Sequence, residues 1–235
     1  MRTPDKILSA MKEERAFFIA AHVNPDGDAL GSALALAEAL ESLGKECVLY
    51  SRDIVPKQYR FMPGIGRFVH RAKEEQKRGH ILVLVDCNTA ERAGLNPGDP
   101  FVKSIVIDHH ETEKEYGDLR WVDPSVAATG LMIYDVVKRL GIGPSKSMAV
   151  NLYTAIAVDT GTFRYGNTTA DVLTTAAELV RLYAYCAEFL KRLQEIISIR
   201  KAIYQASKGQ RNKETRVWNY KSRNCLRRSR PRALK

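Results

Sequence analysis

His22-Val-Asn-Pro-Asp26-Gly-Asp28-Ala-Leu-Gly-Ser32 is the stretch whose reading decides the fold. Ahead of it, Ala16 to Ala21 is an apolar run of the length of a short buried strand. Behind it, residues 29–43 are rich in Ala and Leu and stop at Gly44, which reads as a helix with an ordinary C-terminal stop. The stretch is therefore a strand-to-helix turn, and in an open α/β sheet such turns lie at the carboxyl ends of strands, where ligands bind. It offers one imidazole, His22, and two carboxylates, Asp26 and Asp28. Pro25 stiffens the turn and Gly27 can take a positive φ, so that both carboxylates can converge. Two close carboxylates repel unless a cation lies between them. An Asp at a helix start is also a common N-cap, and a His at a strand end is commonly structural, so the turn alone leaves both readings open.

Working outward, the same design recurs. His80-Ile-Leu-Val-Leu-Val-Asp86 is a continuous apolar run closed by a carboxylate, as in a strand buried on both faces. Lys103-Ser-Ile-Val-Ile-Asp108-His109-His110 is a second such run. Cys47 to Tyr50 reads as a strand, and Arg52 to Gly66, with Pro56, Pro63 and two glycines, as a surface loop. Helices are expected over the amphipathic N-terminus (Ile7, Leu8, Met11), over 71–77, over 127–140 and from Ser145 to Asp159. The last runs into Asp159-Thr-Gly-Thr-Phe-Arg164, and a further helix, capped within Asn167 to Asp171, extends to about Leu182. The pattern predicts an α/β fold: a mostly parallel central sheet with helices on both faces.

Composition narrows the class. A hydrophobic fraction of 45% over 235 residues suits a globular chain with a proper core. No apolar run approaches the ~20 residues needed to span a bilayer, and the charged N-terminus is unlike a secretory signal. The four cysteines are far apart without Cys-x-x-Cys spacing, which fits a reducing cytoplasm. The net charge of +10 is unevenly placed: Arg181 to Lys235 holds 16 Lys and Arg against 3 Asp and Glu, whereas the preceding 180 residues hold 21 against 24. The positive excess belongs wholly to the C-terminal part.

His22, Asp26, Asp28, Asp86, His109 and Asp159 thus stand at ends of regular elements, each able to reach one cleft. Four carboxylates and two neutral imidazoles carry a formal charge of −4, which two divalent cations neutralise and one does not. Mixed nitrogen and oxygen donors suit manganese, iron or cobalt better than magnesium. For two ions to sit ~3.5 to 4 Å apart one carboxylate must bridge, and Asp86 on its central strand is the candidate. A water between two such ions becomes a hydroxide near neutral pH, a nucleophile suited to phosphorus.

Taken together, His22-x-Asn-Pro-Asp26-Gly-Asp28-Ala-x-Gly-Ser, Asp86 after a strand, Asp108-His109-His110 after another and Asp159-Thr-Gly-x-Phe resemble the four motifs of the DHH phosphoesterase family, in order and spacing. The likeness covers residues 1–182. It is nearest to the nanoRNases, also called bifunctional oligoribonuclease and pAp phosphatase, which are similar to the catalytic domain of RecJ exonuclease. The resemblance implies His22 and Asp26 on one metal, Asp28, His109 and Asp159 on the other, and Asp86 between them, with manganese as the metal. It further implies that His110 faces the substrate phosphate as proton donor or positive contact, and that Asp108 orients an imidazole rather than binding metal. Arg164 and Arg92 are candidate phosphate contacts, against the alternative that each is a solvated surface arginine.

The resemblance implies a substrate: very short RNA, or the 3′-phosphate of adenosine 3′,5′-bisphosphate (pAp), attacked in line by the bridging hydroxide. Family members normally carry a second, smaller domain with a Gly-Gly-Gly-His-type loop, and no such loop follows Leu182. Residues 183–206 are expected to form a connector helix and 207–235 a basic, disordered tail. A truncated or frame-shifted product, a nucleic-acid-binding arm with Trp218 and Tyr220 to stack on bases, and a solvated extension are the three explanations of that tail. Without the second domain, metal binding with weak, poorly selective hydrolysis is expected. The rival readings are an inorganic pyrophosphatase of the related DHH branch and an inactive remnant that binds nucleic acid. A cyclic-dinucleotide phosphodiesterase is disfavoured by the absence of membrane and sensory segments. A homodimer is carried as the assembly to test, and no membrane partner is expected.

Overall fold

In a computed structural model, which describes residues 1–112 and 115–182, five strands form one all-parallel sheet in the order β2-β1-β3-β4-β5. They are β1 (Ala16–Ala20), β2 (Glu46–Tyr50), β3 (Ile81–Val85), β4 (Lys103–Asp108) and β5 (Leu119–Val122). The helices are α1 (Asp5–Glu13), α2 (Gly27–Ser42), α3 (Glu74–Lys77), α4 (Thr129–Arg139), α5 (Lys146–Asp159) and α6 (Ala170–Leu182). The chain moves from β1 outward to β2, then returns past β1 to β3. The order of strands therefore reverses between β1 and β3, and a crevice opens at their carboxyl ends. His22 follows β1 and Asp86 follows β3, so both stand at that crevice.

Register explains the apolar runs. Phe17, Ile19, Ile81, Val83, Val85, Ile105 and Ile107 face one side with the apolar residues of α1, α2, α4, α5 and α6. Phe18, Ala20, Leu82, Leu84 and Val106 face the other. Both faces are dry, which is why β3 shows no polar alternation. The helices are shared unequally. On the second face the cover is the 3-10 helix Glu91–Ala93 and the segments around Ala72 and Phe101.

α2 is buried almost all round, from Gly27 to Ala37, because it lies between the sheet and α5. Glycines let the layers approach: a Cβ on Gly31 would collide with the Asn151 carbonyl oxygen of α5, and one on Gly27 would lie 2.6 Å from Val158 Cγ2. These contacts set α2 and α5 antiparallel, so the end of α5 meets the start of α2. Asp159 is thereby brought beside Asp28 from the outer layer.

The structure differs from the sequence reading at two places. Gly27 does not adopt a positive φ; the left-handed residue of the turn is Asn24 (φ 53°), and Gly27 is needed for the space beside Val158. β5, Leu-Arg-Trp-Val, was not foreseen, being four residues between Gly117 and Pro124, too short to display a period. The expected connector helix and basic tail lie outside the described residues. No helix among those described is long and apolar enough to cross a membrane.

Candidate metal centre

The six side chains meet at the β1/β3 crevice. His22 Nε2 lies 3.5 Å from Asp86 Oδ2 and 3.9 Å from Asp26 Oδ1. On the opposite side of Asp86, His109 Nε2 lies 3.5 Å from Oδ1, 3.0 Å from Asp159 Oδ2 and 3.7 Å from Asp28 Oδ2. Two triads of donor atoms result, His22–Asp26–Asp86 and Asp28–His109–Asp159, each compact enough to hold a metal ion. A third set, Asp86–His109–His110, overlaps them.

Local structure builds each donor. Asp26 is the N-cap of α2, its Oδ1 accepting from the Asp28 and Ala29 amides, so it caps and faces the cluster at once. Asp86 leaves β3 in the left-handed region (φ 57°), which Asp tolerates better than most residues. The His22 turn is held from both sides: Asn24 N–H donates to Asp53 Oδ2 at 2.7 Å, and Val23 N–H to the Arg92 carbonyl at 2.7 Å. Past Asp159 the chain makes three consecutive left-handed residues, Gly161, Thr162 and Phe163. Left-handed Thr and Phe are strained, and such strain is characteristic of functional turns.

The imidazoles are preset. His22 Nδ1 lies 2.7 Å from the Val23 carbonyl and His109 Nδ1 3.1 Å from that of Val126. A carbonyl only accepts, so each Nδ1 carries the hydrogen and the neutral ring turns the Nε2 lone pair toward the carboxylates. Nε2 of His109 is buried yet makes no aligned hydrogen bond, although Asp159 is close. An orphaned imidazole nitrogen among carboxylates, with a second imidazole beside it, forms a donor set that fits a divalent cation.

Electrostatics agree. Burial first, then Asp86 and Asp159, push the Asp28 carboxyl well above the usual carboxylate range, and the same causes raise Asp26. Burial also works to raise Asp86, but the His22 hydrogen bond and the nearby His109 and His110 hold it below its ordinary value. His109, despite burial, is pushed up to about 10 by Asp159, Asp28 and Asp86, and His22 is raised by Asp86 and the Val23 carbonyl. Without a cation the cluster retains protons. A metal must displace them, so affinity rises with pH.

The other expected residues lie around this centre. His110 Nδ1 is 2.7 Å from Asp108 Oδ1 and 3.5 Å from Asp86 Oδ1. Asp108 is fully buried at the end of β4, and its contact raises the His110 pKa. Arg92 and Arg164 are exposed, and among the described residues neither pairs with a cluster carboxylate; Arg164 Nε donates to the Gly161 carbonyl at 2.9 Å. Sequence reasoning missed the start of α4. There Thr129 N–H donates to Asp28 Oδ2 at 2.7 Å, Gly130 N–H to Asp28 Oδ1 at 2.8 Å and Thr129 Oγ1 to Asp86 Oδ1 at 2.9 Å. Ser32 Oγ, inside the quoted stretch but given no role, also donates to Asp28 Oδ1.

Comparison with known proteins agrees with this architecture. The profile of the DHH family, N-terminal domain, matches residues 16–160, and the chain belongs to that family. It is similar to the bifunctional oligoribonuclease and PAP phosphatase NrnA of Thermus thermophilus, 40% identical over 83% of this chain and 58% of the relative. It is also similar to the protein of the same name in Bacillus subtilis, 30% identical over 74% of this chain and 55% of the relative. The chain thus spans less than three-fifths of either relative. Among solved structures, an exopolyphosphatase-related protein from Bacteroides fragilis shares the fold, with a TM-score of 0.74 and 23% identity over 80% of this chain and 59% of that one.

Proposed function

We propose that this chain is a manganese-dependent phosphoesterase acting on very short RNA or on the 3′-phosphate of pAp. The observation that carries the reading is the pair of adjacent donor triads, one containing Asp86 and the other bringing His109 within 3.5 Å of it, with both Nε2 atoms turned inward. His22 and Asp26 would hold one ion, Asp28, His109 and Asp159 the other, and Asp86 both. Two bound divalent ions would supply Lewis acidity toward a phosphoryl oxygen and a strong nucleophile from water near neutral pH. Asp108 fixes the His110 ring through Nδ1, leaving Nε2 to contact the phosphate or deliver a proton to the departing oxygen. Arg92 and Arg164, exposed beside the His22 turn and beyond Asp159, are retained as candidate phosphate contacts. The named activities of the two NrnA relatives support the choice of substrate. The basic residues after Arg181 are proposed to add salt-sensitive contact with nucleic acid.

A substrate panel with added manganese tests this. Phosphate released from pAp, or mononucleotides released from a dinucleotide or trinucleotide, is the expected result. Turnover of pyrophosphate alone would replace the reading with a pyrophosphatase. RNA affinity that falls steeply with salt, without turnover of any substrate, would replace it with a nucleic-acid-binding remnant.

A further inference from the structure

We infer that Thr129 is a positioning residue of the metal centre, acting through Asp86. The inference rests on the proposed reading of that centre and adds to it the N-terminus of α4.

The N-cap of α4 is Ala128, whose side chain cannot accept a hydrogen bond, so the first amides of the helix have no local cap. They are capped from a hundred residues away. Asp28, in the first turn of α2, takes the Thr129 amide on Oδ2 and the Gly130 amide on Oδ1. Both its oxygens are thereby fixed, and the carboxylate is itself fully buried. Gly130 is required for this approach, since a Cβ there would lie 2.6 Å from the Ala155 methyl and 3.4 Å from Asp28 Oδ1.

From the same residue the Thr129 hydroxyl donates to Asp86 Oδ1 at 2.9 Å. Thr129 and Asp86 are both buried, and that oxygen is the one 3.5 Å from His109 Nε2. The hydroxyl therefore sets the rotation of the carboxylate that stands between His22 and His109, keeping Oδ2 toward His22 and Oδ1 toward His109. One residue donates to both inner carboxylates: to Asp28 through its amide, beside the Gly130 amide and the Ser32 hydroxyl, and to Asp86 through its side chain. Partners that orient ligands in this way are typically worth about 10- to 100-fold in metal affinity.

The test compares Thr129→Val, which keeps shape and amide but removes the hydroxyl, with Thr129→Ser, which keeps the hydroxyl. Thr129→Ala serves as a second hydroxyl-free variant should Val disturb folding. Manganese is titrated calorimetrically into the metal-free full chain, and circular dichroism checks the fold. Loss of manganese affinity by about 10-fold or more in the hydroxyl-free variants, with Ser within about threefold of the parent, is expected. Parent-like affinity in a folded hydroxyl-free variant, or an equal loss in Ser, overturns the assignment. Asp86→Asn, run alongside, separates the two levels. If it too binds manganese like the parent, the reading of the metal centre fails; if it alone loses binding, only the role of Thr129 does.

Discussion

On the proposed reading, Asp86→Asn folds like the parent and loses manganese-dependent turnover. Asparagine matches the carboxylate in shape and tolerates the left-handed backbone at position 86 (φ 57°), so β3 and its turn have no reason to rearrange. Its amide oxygen can still accept from the Thr129 hydroxyl 2.9 Å away. What disappears is the charge between the two triads. A neutral amide neither draws two cations together nor bridges them, and Lewis-acid assistance worth several kcal/mol goes with it. That corresponds to on the order of a thousandfold in rate. Initial rates on pAp and a short RNA, beside thermal melts of the metal-free proteins, check both halves. Undiminished turnover in a folded Asp86→Asn protein would remove Asp86 from the centre.

Gly31→Ala will destabilise the fold, although helix propensity argues the opposite. Ala in place of Gly inside a helix is worth about 1 kcal/mol in favour of the helix. Here, however, the new methyl meets the Asn151 backbone carbonyl of α5, with the Ala155 methyl only 3.2 Å away. A helix backbone cannot move aside as a flexible side chain can, and overpacking of this kind costs about 3 kcal/mol. The clash wins by about 2 kcal/mol, a fall in melting temperature of roughly 4–8 °C for a domain of this size. Manganese affinity should fall too, because α2 carries Asp28 and α5 carries Asp159. Gly66→Ala is the control: nothing lies within 4 Å of the new Cβ, and the melt should not move. A Gly31→Ala protein that melts at or above the parent would show that α2 and α5 do not pack this closely.

Much of this was legible because strand ends announce themselves. The runs before His22 and Asp86 are apolar throughout and the one before Asp108-His109 is apolar over Ile105–Ile107, so each chemical side chain stands where its run stops, and parallel strands bring those stops to one edge. Asp159 was readable for the same reason at the end of a helix. Contacts set by tertiary approach were not legible. Thr129 reads as an ordinary helical residue until Asp28 is seen to cap it across 101 positions. Gly27 looked like a turn glycine, yet its role is steric and depends on Val158. Asn24 took the left-handed position because Asn tolerates that region and Asp53 pins its amide. The carbonyls of Val23 and Val126, which fix the imidazole tautomers, carry no sequence signal at all.

Counting manganese ions on the metal-free chain tests the central claim most directly, by calorimetric titration at pH 6.5 and pH 8 with equilibrium dialysis as a check. The six side chains at the β1/β3 crevice predict two ions per chain. Binding should be tighter at the higher pH, because His109, raised to about 10, must give up its proton to the metal. A chain that binds no manganese, or a single ion with the same affinity at both pH values, would contradict the account.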